Sequence, residues 1–81
     1  MAKQYAKVTL LEGRPFYIEV TDDSGAFLTG YEVDREGTRI HVGGGFDQRL
    51  RIIDRSVIKR NVPMTMNLHY GELEAVKEGK V

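Results

Sequence analysis

The stretch Phe-Tyr-Ile-Glu-Val-Thr-Asp-Asp-Ser-Gly-Ala-Phe-Leu-Thr-Gly, residues 16–30, predicts the fold class of this chain. Phe16, Ile18 and Val20 alternate with the residues between them, which is the period of a half-buried strand. The Asp-Asp-Ser-Gly cluster that follows is typical of a turn, because its side chains bind their own backbone and its glycine accepts positive φ. A second strand-forming run then begins and contains Gly30. The stretch therefore predicts an antiparallel β-hairpin.

Similar alternating segments, separated by turn signals, continue to the end of the chain and predict five to seven short strands. In a chain of 81 residues, the economical architecture is an all-β, small and strongly bent antiparallel barrel of the SH3-like or Sm-like kind. The apolar members of the alternating pairs are predicted to face inward. They are Ile18, Val20, Leu28, Ile40, Val42, Leu50, Ile52, Met66 and Leu68.

Gly30 is predicted to mark a bulge or a sharp bend. Apolar residues occupy both odd-numbered and even-numbered positions of residues 26–34. One extra residue in a strand would exchange its inward and outward faces and so account for both sets. We therefore expect Leu28 to face inward and the parity to be reversed by Tyr31. Strands that bend at a glycine allow a small sheet to curl into a barrel.

The length predicts a single domain, 1–81, with residues 1–6 and 72–81 frayed or, at the end, forming a short extra strand. Residues 7–11 fit either a strand or the last turn of a short N-terminal helix, and β-branched Val8 and Thr9 favour the strand. The absence of cysteine excludes disulfides and thiolate metal sites.

Charge and hydropathy limit the partners that the chain can have. Twelve basic and twelve acidic residues give no net charge, so no global field attracts nucleic acid or a membrane. No apolar run approaches the roughly 20 residues of a membrane span. The first residues lack the apolar stretch of a signal peptide, so we expect a cytoplasmic protein.

The charges are nevertheless unevenly distributed along the chain. Residues 12–36 hold seven acids and two bases, a balance of −5, whereas residues 39–60 hold six bases and two acids, a balance of +4. These halves either pair across neighbouring strands or form two opposed patches. The sequence leaves both arrangements open.

Catalytic and metal-binding patterns are not evident. His41 and His69 fall at outward strand positions. Neither has an acid or a nucleophile at the spacing of a catalytic site, and the sequence has no metal-ligand motif. Ser24 and Ser56 occupy turn and cap positions. The glycines at 43–45 lack the helix or lysine of a phosphate-binding loop and indicate a hairpin tip. The sequence predicts neither an enzyme, nor a cofactor, nor a metal site.

The basic segment is the best candidate for a binding surface. Arg49 and Arg51 project from one strand face in the predicted arrangement, and three further cations follow it. Arginines on a β surface near tyrosines suit single-stranded RNA, because they pair with phosphates while bases stack on the rings. The alternative is a solvated face whose arginines pair with Glu19, Glu32 and Asp34. The predicted nucleic-acid-binding residues are Arg49, Arg51, Arg55, Lys59 and Arg60.

Roughly residues 10–62 resemble an Sm-like domain. That family has an alternating strand, a turn glycine and a second glycine five residues later in a bent strand, and Ile18, Val20, Gly25, Gly30 and Asp34 occupy comparable places here. The segment Ile-Asp-Arg-Ser-Val-Ile at 53–58 is similar to the family's motif before its last strand.

The resemblance implies the shape of the fold rather than the family's RNA-base pocket. The residues that line that pocket depart from the pattern, since Arg35, Glu36 and Gly37 replace an asparagine and Ser56 replaces a glycine. Edge pairing between subunits is how Sm-like rings are built. The strand at 64–70 follows a proline and has a polar outer face, as an edge strand does.

The sequence therefore predicts a non-enzymatic interaction module that self-associates as a homo-oligomer. Two functions stay open. One is binding of single-stranded RNA through the basic strand face. The other is a protein-binding adaptor or regulator that acts through an edge strand and the acidic face, without nucleic acid.

Overall fold

A computed structural model describes residues 3–41 and 48–76, which form six antiparallel strands in one sheet. The strands are β1 (Gln4–Leu10), β2 (Phe16–Asp22), β3 (Phe27–Val33), β4 (Leu50–Asp54), β5 (Ile58–Asn67) and β6 (Glu72–Ala75), with a 3₁₀ turn, Arg55–Val57, between β4 and β5. Their order in the sheet is β4-β3-β2-β1-β5-β6. The all-β prediction is confirmed, and β1 is a strand rather than a helix. The sheet itself is not closed.

The sheet buries side chains on both of its faces. One cluster contains Ala6, Val8, Ile18, Leu28 and Ile53. The other contains Val33, Met64 and Leu73, with Tyr5 and Tyr17 packed against it. Strand neighbours point to opposite faces, so Ile18 and Tyr17 contribute to different clusters. Apolar residues on both parities of a strand are therefore compatible with regular pairing.

The predicted irregularity lies opposite Gly30 and not within β3. Val20 pairs with Gly30 and Asp22 with Thr29, so the extra residue is Thr21 in β2. Leu28 is buried as predicted, but β3 alternates regularly through Tyr31 and needs no reversal of parity. A Cβ atom on Gly30 would lie 2.5 Å from the backbone oxygen of Glu19. Glycine is required here because β2 and β3 approach closely.

Several predicted core positions are wrong. Leu50 and Ile52 are 48% and 66% exposed, and Leu68 is 90% exposed because β5 ends at Asn67 and a turn follows. Ile18, like Leu28, is fully buried as predicted, whereas Val20, Ile40 and Met66 are half-buried. Val42 and the glycines at 43–45 lie outside the described residues.

The predicted edge strand at 64–70 is also corrected. Met64 pairs with Tyr5 of β1 and with Ala75 of β6, and residues 65–67 pair with β6, which is the outermost strand on this side of the sheet. Beyond β6, the turn after β3 contacts the sheet: the Leu73 N–H donates to the Arg35 oxygen at 2.8 Å, and the Arg35 guanidinium lies 3.3 Å from the Glu72 carboxylate. This turn covers part of the free side of β6.

Candidate interaction edge

Arg49 and Arg51 share a single carboxylate. The Arg51 guanidinium lies 3.0 Å and that of Arg49 lies 3.7 Å from the same oxygen of Glu32, which is on the neighbouring strand β3. Arg51 also lies over the Phe16 ring, 4.4 Å from its centroid. Arg51 is therefore packed onto the sheet rather than pointing freely outward, and among residues 3–41 and 48–76 the two arginines share one carboxylate, which leaves an excess of one positive charge.

Arg55 connects two turns. Its guanidinium donates to the backbone oxygens of Gly25 and Asp23, each at 2.8 Å, and pairs with the Asp23 carboxylate. These contacts hold the β2–β3 turn against the 3₁₀ turn, which is a structural role.

Lys59 and Arg60 lie at the start of β5 and are exposed. Neither forms an ion pair with any residue in the ranges 3–41 and 48–76. Three strands separate β5 from β4 in the sheet order. The predicted basic residues are thus divided between two paired arginines at β4, one arginine in a turn and two cations on β5.

The acidic half of the chain is largely used in contacts with the basic half or in turns. Glu19, buried on the sheet, accepts hydrogen bonds from Arg39 at 2.9 and 3.3 Å, and Arg39 stacks over the Tyr31 ring at 4.1 Å. The hydrogen bond from Arg39 holds the pKa of the Glu19 carboxyl below its usual value. Asp34 accepts backbone N–H groups of its own turn instead of an arginine. The two halves therefore interleave across strands.

β4 presents an open strand edge. The Arg49 oxygen accepts the Glu32 N–H at 2.8 Å, and the Arg55 N–H donates to the Ala26 oxygen at 3.1 Å. Because antiparallel bonding alternates along a strand, the backbone groups of Leu50, Ile52 and Asp54 point away from β3. The Leu50 N–H donates to the Gln48 oxygen at 3.1 Å, and no strand in the described ranges pairs with that side of β4 at Ile52.

Exposed apolar side chains lie beside this edge. Phe27 of β3 lies on the same face as Leu50 and Ile52 and is 49% exposed. It pairs with Asp54, which follows Ile52 on that face of β4. We call these three residues the apolar stripe. Sequence reasoning missed it because it placed the arginines outward. The adjacent isoleucines Ile52 and Ile53 indicated that the core residue of this strand could lie on either of its faces.

Ser24 and Ser56 make contacts within a turn and a cap, as their sequence positions predict. Ser24 donates to the Asp22 carboxylate, which lowers the pKa of Asp22, and Ser56 donates its backbone N–H to Asp54. His69 is exposed in the β5–β6 turn with its ring against Tyr70. Among the described residues, no three His, Asp or Glu side chains come together in a way that would hold a metal ion.

Comparisons with protein-family models, with curated proteins and with solved structures found no match to this chain. The part of the chain that the structure describes contains no helix of the length and apolarity needed to cross a membrane.

Proposed function

We propose that this chain is a non-enzymatic protein-interaction module that binds an extended segment of a partner polypeptide along β4. The observation that carries the proposal is the coincidence of the open β4 backbone with the exposed side chains of Leu50 and Ile52. An added strand would pair with the outward backbone groups at Ile52 and cover the apolar stripe at the same time. Burial of the apolar side chains would supply the driving force, and the backbone pairing would fix the direction and register of the bound segment.

A comparison with β5 supports the choice of β4. Residues 58–62 of β5 pair with β1 alone among the described strands, so this segment is also an open edge. It carries the exposed cations Lys59 and Arg60 and ends at Pro63, which are the devices that prevent an edge from adding strands. β4, by contrast, has the exposed apolar side chains Leu50 and Ile52 on one of its faces. β4 is therefore the edge suited to pairing.

We also propose that the sheet curls in the manner of an SH3-like or Sm-like barrel. Supporting observations are the 3₁₀ turn between β4 and β5, the return of β5 to β1, and the contact between β6 and the turn after β3. The two glycines of the resemblance also have suitable roles: Gly25 has a φ of 81° in its turn, and Gly30 permits the close approach of β2 and β3.

RNA binding is the second candidate function, and the exposed cations Lys59 and Arg60 favour it. The other three predicted contacts already have carboxylate partners, so phosphate would have to displace them. A fluorescence-anisotropy titration with a mixed-sequence single-stranded RNA at low salt tests this function. Binding that is lost in the Lys59→Glu, Arg60→Glu double variant and falls steeply with salt would support it.

The test of the proposed function uses peptides selected by display on the folded chain. We expect the selected peptides to shift the backbone amide signals of Ile52 and Asp54 in an NMR titration. Ile52→Pro should abolish binding without unfolding the protein, because its N–H faces the open edge, where proline is tolerated. Ile52→Val is the matched control that keeps this N–H group.

Two results would contradict the proposal. One is tight binding of the selected peptides to Ile52→Pro. The other is amide shifts confined to surfaces away from β4. Light scattering of the free chain tests the predicted homo-oligomer separately, since self-association does not require that β4 be the contact.

A further inference from the structure

We infer that the segment bound by β4 is an extended peptide of another protein in which acidic residues alternate with apolar ones. This inference rests on the proposed function and adds the chemistry of the partner. Its basis is the different character of the two faces of β4: arginine side chains lie on one face and the apolar stripe lies on the other.

The basic face selects acidic residues. Arg49 and Arg51 bring two guanidinium groups to one carboxylate, that of Glu32, so the part of the chain that the structure describes has an excess of one positive charge beside this edge. Residues of an added strand on this face would stand directly across from the arginines, where opposite charges stabilise pairing and like charges oppose it. Glutamate or aspartate at alternate positions supplies that complement.

The opposite face selects apolar residues. The next positions of an added strand would lie beside Leu50 and Ile52, with Phe27 behind them. Apolar side chains there would withdraw the stripe from water. The partner sequence therefore has the period of a strand, with carboxylates at every second position and apolar side chains between them.

A second copy of β4 does not fit this edge. An antiparallel partner must place its own edge-facing residues opposite Leu50, Ile52 and Asp54. Every such register sets like charges opposite one another. Each register opposes a different pair: Arg49 with Arg51, Arg51 with its own copy, Arg49 with Arg55, Arg51 with Arg55, and Asp54 with its own copy.

The chain's acidic strand β6 is not a suitable partner either. β6 carries Glu72 and Glu74, so its charge would suit β4, but its free side is partly occupied. The Leu73 N–H already donates to the Arg35 oxygen, and the Arg35 side chain pairs with Glu72. A strand from another protein has no such contacts to break.

Three synthetic peptides of equal length test the inference. One alternates valine with glutamate, one with glutamine and one with lysine. We expect the glutamate peptide to bind at least about tenfold more tightly than the glutamine peptide, and the lysine peptide not to bind detectably. Binding is measured by anisotropy of the labelled peptide and located by the Ile52 amide shift.

Two variants show which charge is responsible. Arg49→Gln should remove most of the preference for glutamate, because it leaves Arg51 and Glu32 as a balanced pair. Arg35→Gln removes an exposed arginine that contacts β6 instead, and should keep the preference. Added salt should weaken the glutamate peptide more than the glutamine peptide.

The outcomes separate this inference from the proposed function. Equal binding of the glutamate and glutamine peptides at β4 would overturn the acidic preference and leave strand addition intact. Failure of all three peptides, together with failure of display-selected peptides, to shift the Ile52 amide would overturn both. A dimer detected by light scattering whose formation protects the Ile52 amide would show that β4 binds a second copy, and would overturn the inference of a separate partner.

Discussion

The direction in which the side chains of β4 point can be tested with two neighbouring isoleucines. Ile53 is 5% exposed and belongs to the cluster formed with Ile18 and Leu28, whereas Ile52 is 66% exposed. Replacing either residue by alanine removes the same three carbon atoms from the same strand. The pair therefore compares two environments with the chemistry held constant.

The expected costs differ by several fold. At about 0.8 kcal/mol for each buried carbon, truncating Ile53 loses roughly 2.4 kcal/mol of transfer free energy. The cavity left behind brings the total within about 2–5 kcal/mol. About one third of the Ile52 side chain is withdrawn from water, so its truncation costs roughly 0.8 kcal/mol. At about 4–8 °C per kcal/mol, Ile53→Ala should lower Tm by at least about 10 °C and Ile52→Ala by about 3–6 °C.

Urea unfolding followed by far-UV circular dichroism measures both free energies of unfolding. Equal m-values in the two variants and the parent protein would show that the same surface is exposed on unfolding. The measurement is made at a low and a high protein concentration, because burial of Ile52 in an oligomer would make its cost depend on concentration. Equal costs at low concentration, or a larger cost for Ile52→Ala, would refute the side-chain orientation described for β4.

Three further predictions concern the fold around this edge. Gly30→Ala should destabilise by about 1–3 kcal/mol in urea, because the added Cβ meets backbone that cannot move aside. The pKa of Glu19 lies below its ordinary value of 4.5, so stability should fall as pH drops through this region, and Glu19→Gln should flatten the acid limb of a Tm–pH profile. Asp54→Ala removes the side-chain acceptor of the Ser56 N–H and should cost about 0.5–2 kcal/mol by thermal unfolding.

Each of these predictions has a result that contradicts it. An unchanged free energy of unfolding for Gly30→Ala would mean that β2 and β3 lie further apart. The sign for Glu19 follows from proton uptake: the unfolded chain binds a proton before the folded one does, so a parallel pH profile for Glu19→Gln would exclude the contact with Arg39. No loss of stability in Asp54→Ala, with Asp54→Asn as the control that keeps an acceptor, would exclude the cap.

The hairpin of residues 16–30 could be predicted because its determinants are local. Alternation produces β2 and β3, and the turn between them uses the Asp22 carboxylate as acceptor for the backbone and side chain of Ser24. Gly25 at φ 81° completes the turn. None of these contacts reaches more than a few residues along the chain, so the sequence pattern contains them.

The buried face of β4 could not be predicted from its own pattern. Arg51 alternates with apolar residues and was expected to point to solvent, but its guanidinium lies over Phe16 and pairs with Glu32. Both contacts depend on which strands are neighbours and on their register. The same limit applies to Gly30, whose close contact and opposing bulge belong to β2.

The interleaving of the acidic and basic halves follows from that register as well. Glu19 meets Arg39, and Glu32 meets Arg49 and Arg51, across separations of roughly twenty residues in the chain. A charge balance counted along the sequence leaves both pairing and opposed patches open, whereas the folded sheet pairs four of the six bases of residues 39–60 with three acids of residues 12–36. The surface electrostatics of a small β domain therefore depend on strand pairing more than on segment composition.

The orientation of β4 differs from the one that the alternation rule predicts. The opposite orientation would bury Leu50 and Ile52 and expose the arginines, but it would turn Ile53 out of the core. The folded chain instead leaves both apolar side chains in water and commits Arg51 to the sheet. The return for this orientation is the burial of Ile53 and the contacts of Arg51 with Glu32 and Phe16. In the complex that we propose, a partner strand at β4 would bury the apolar stripe and give the shared charge of Arg49 and Arg51 a second carboxylate.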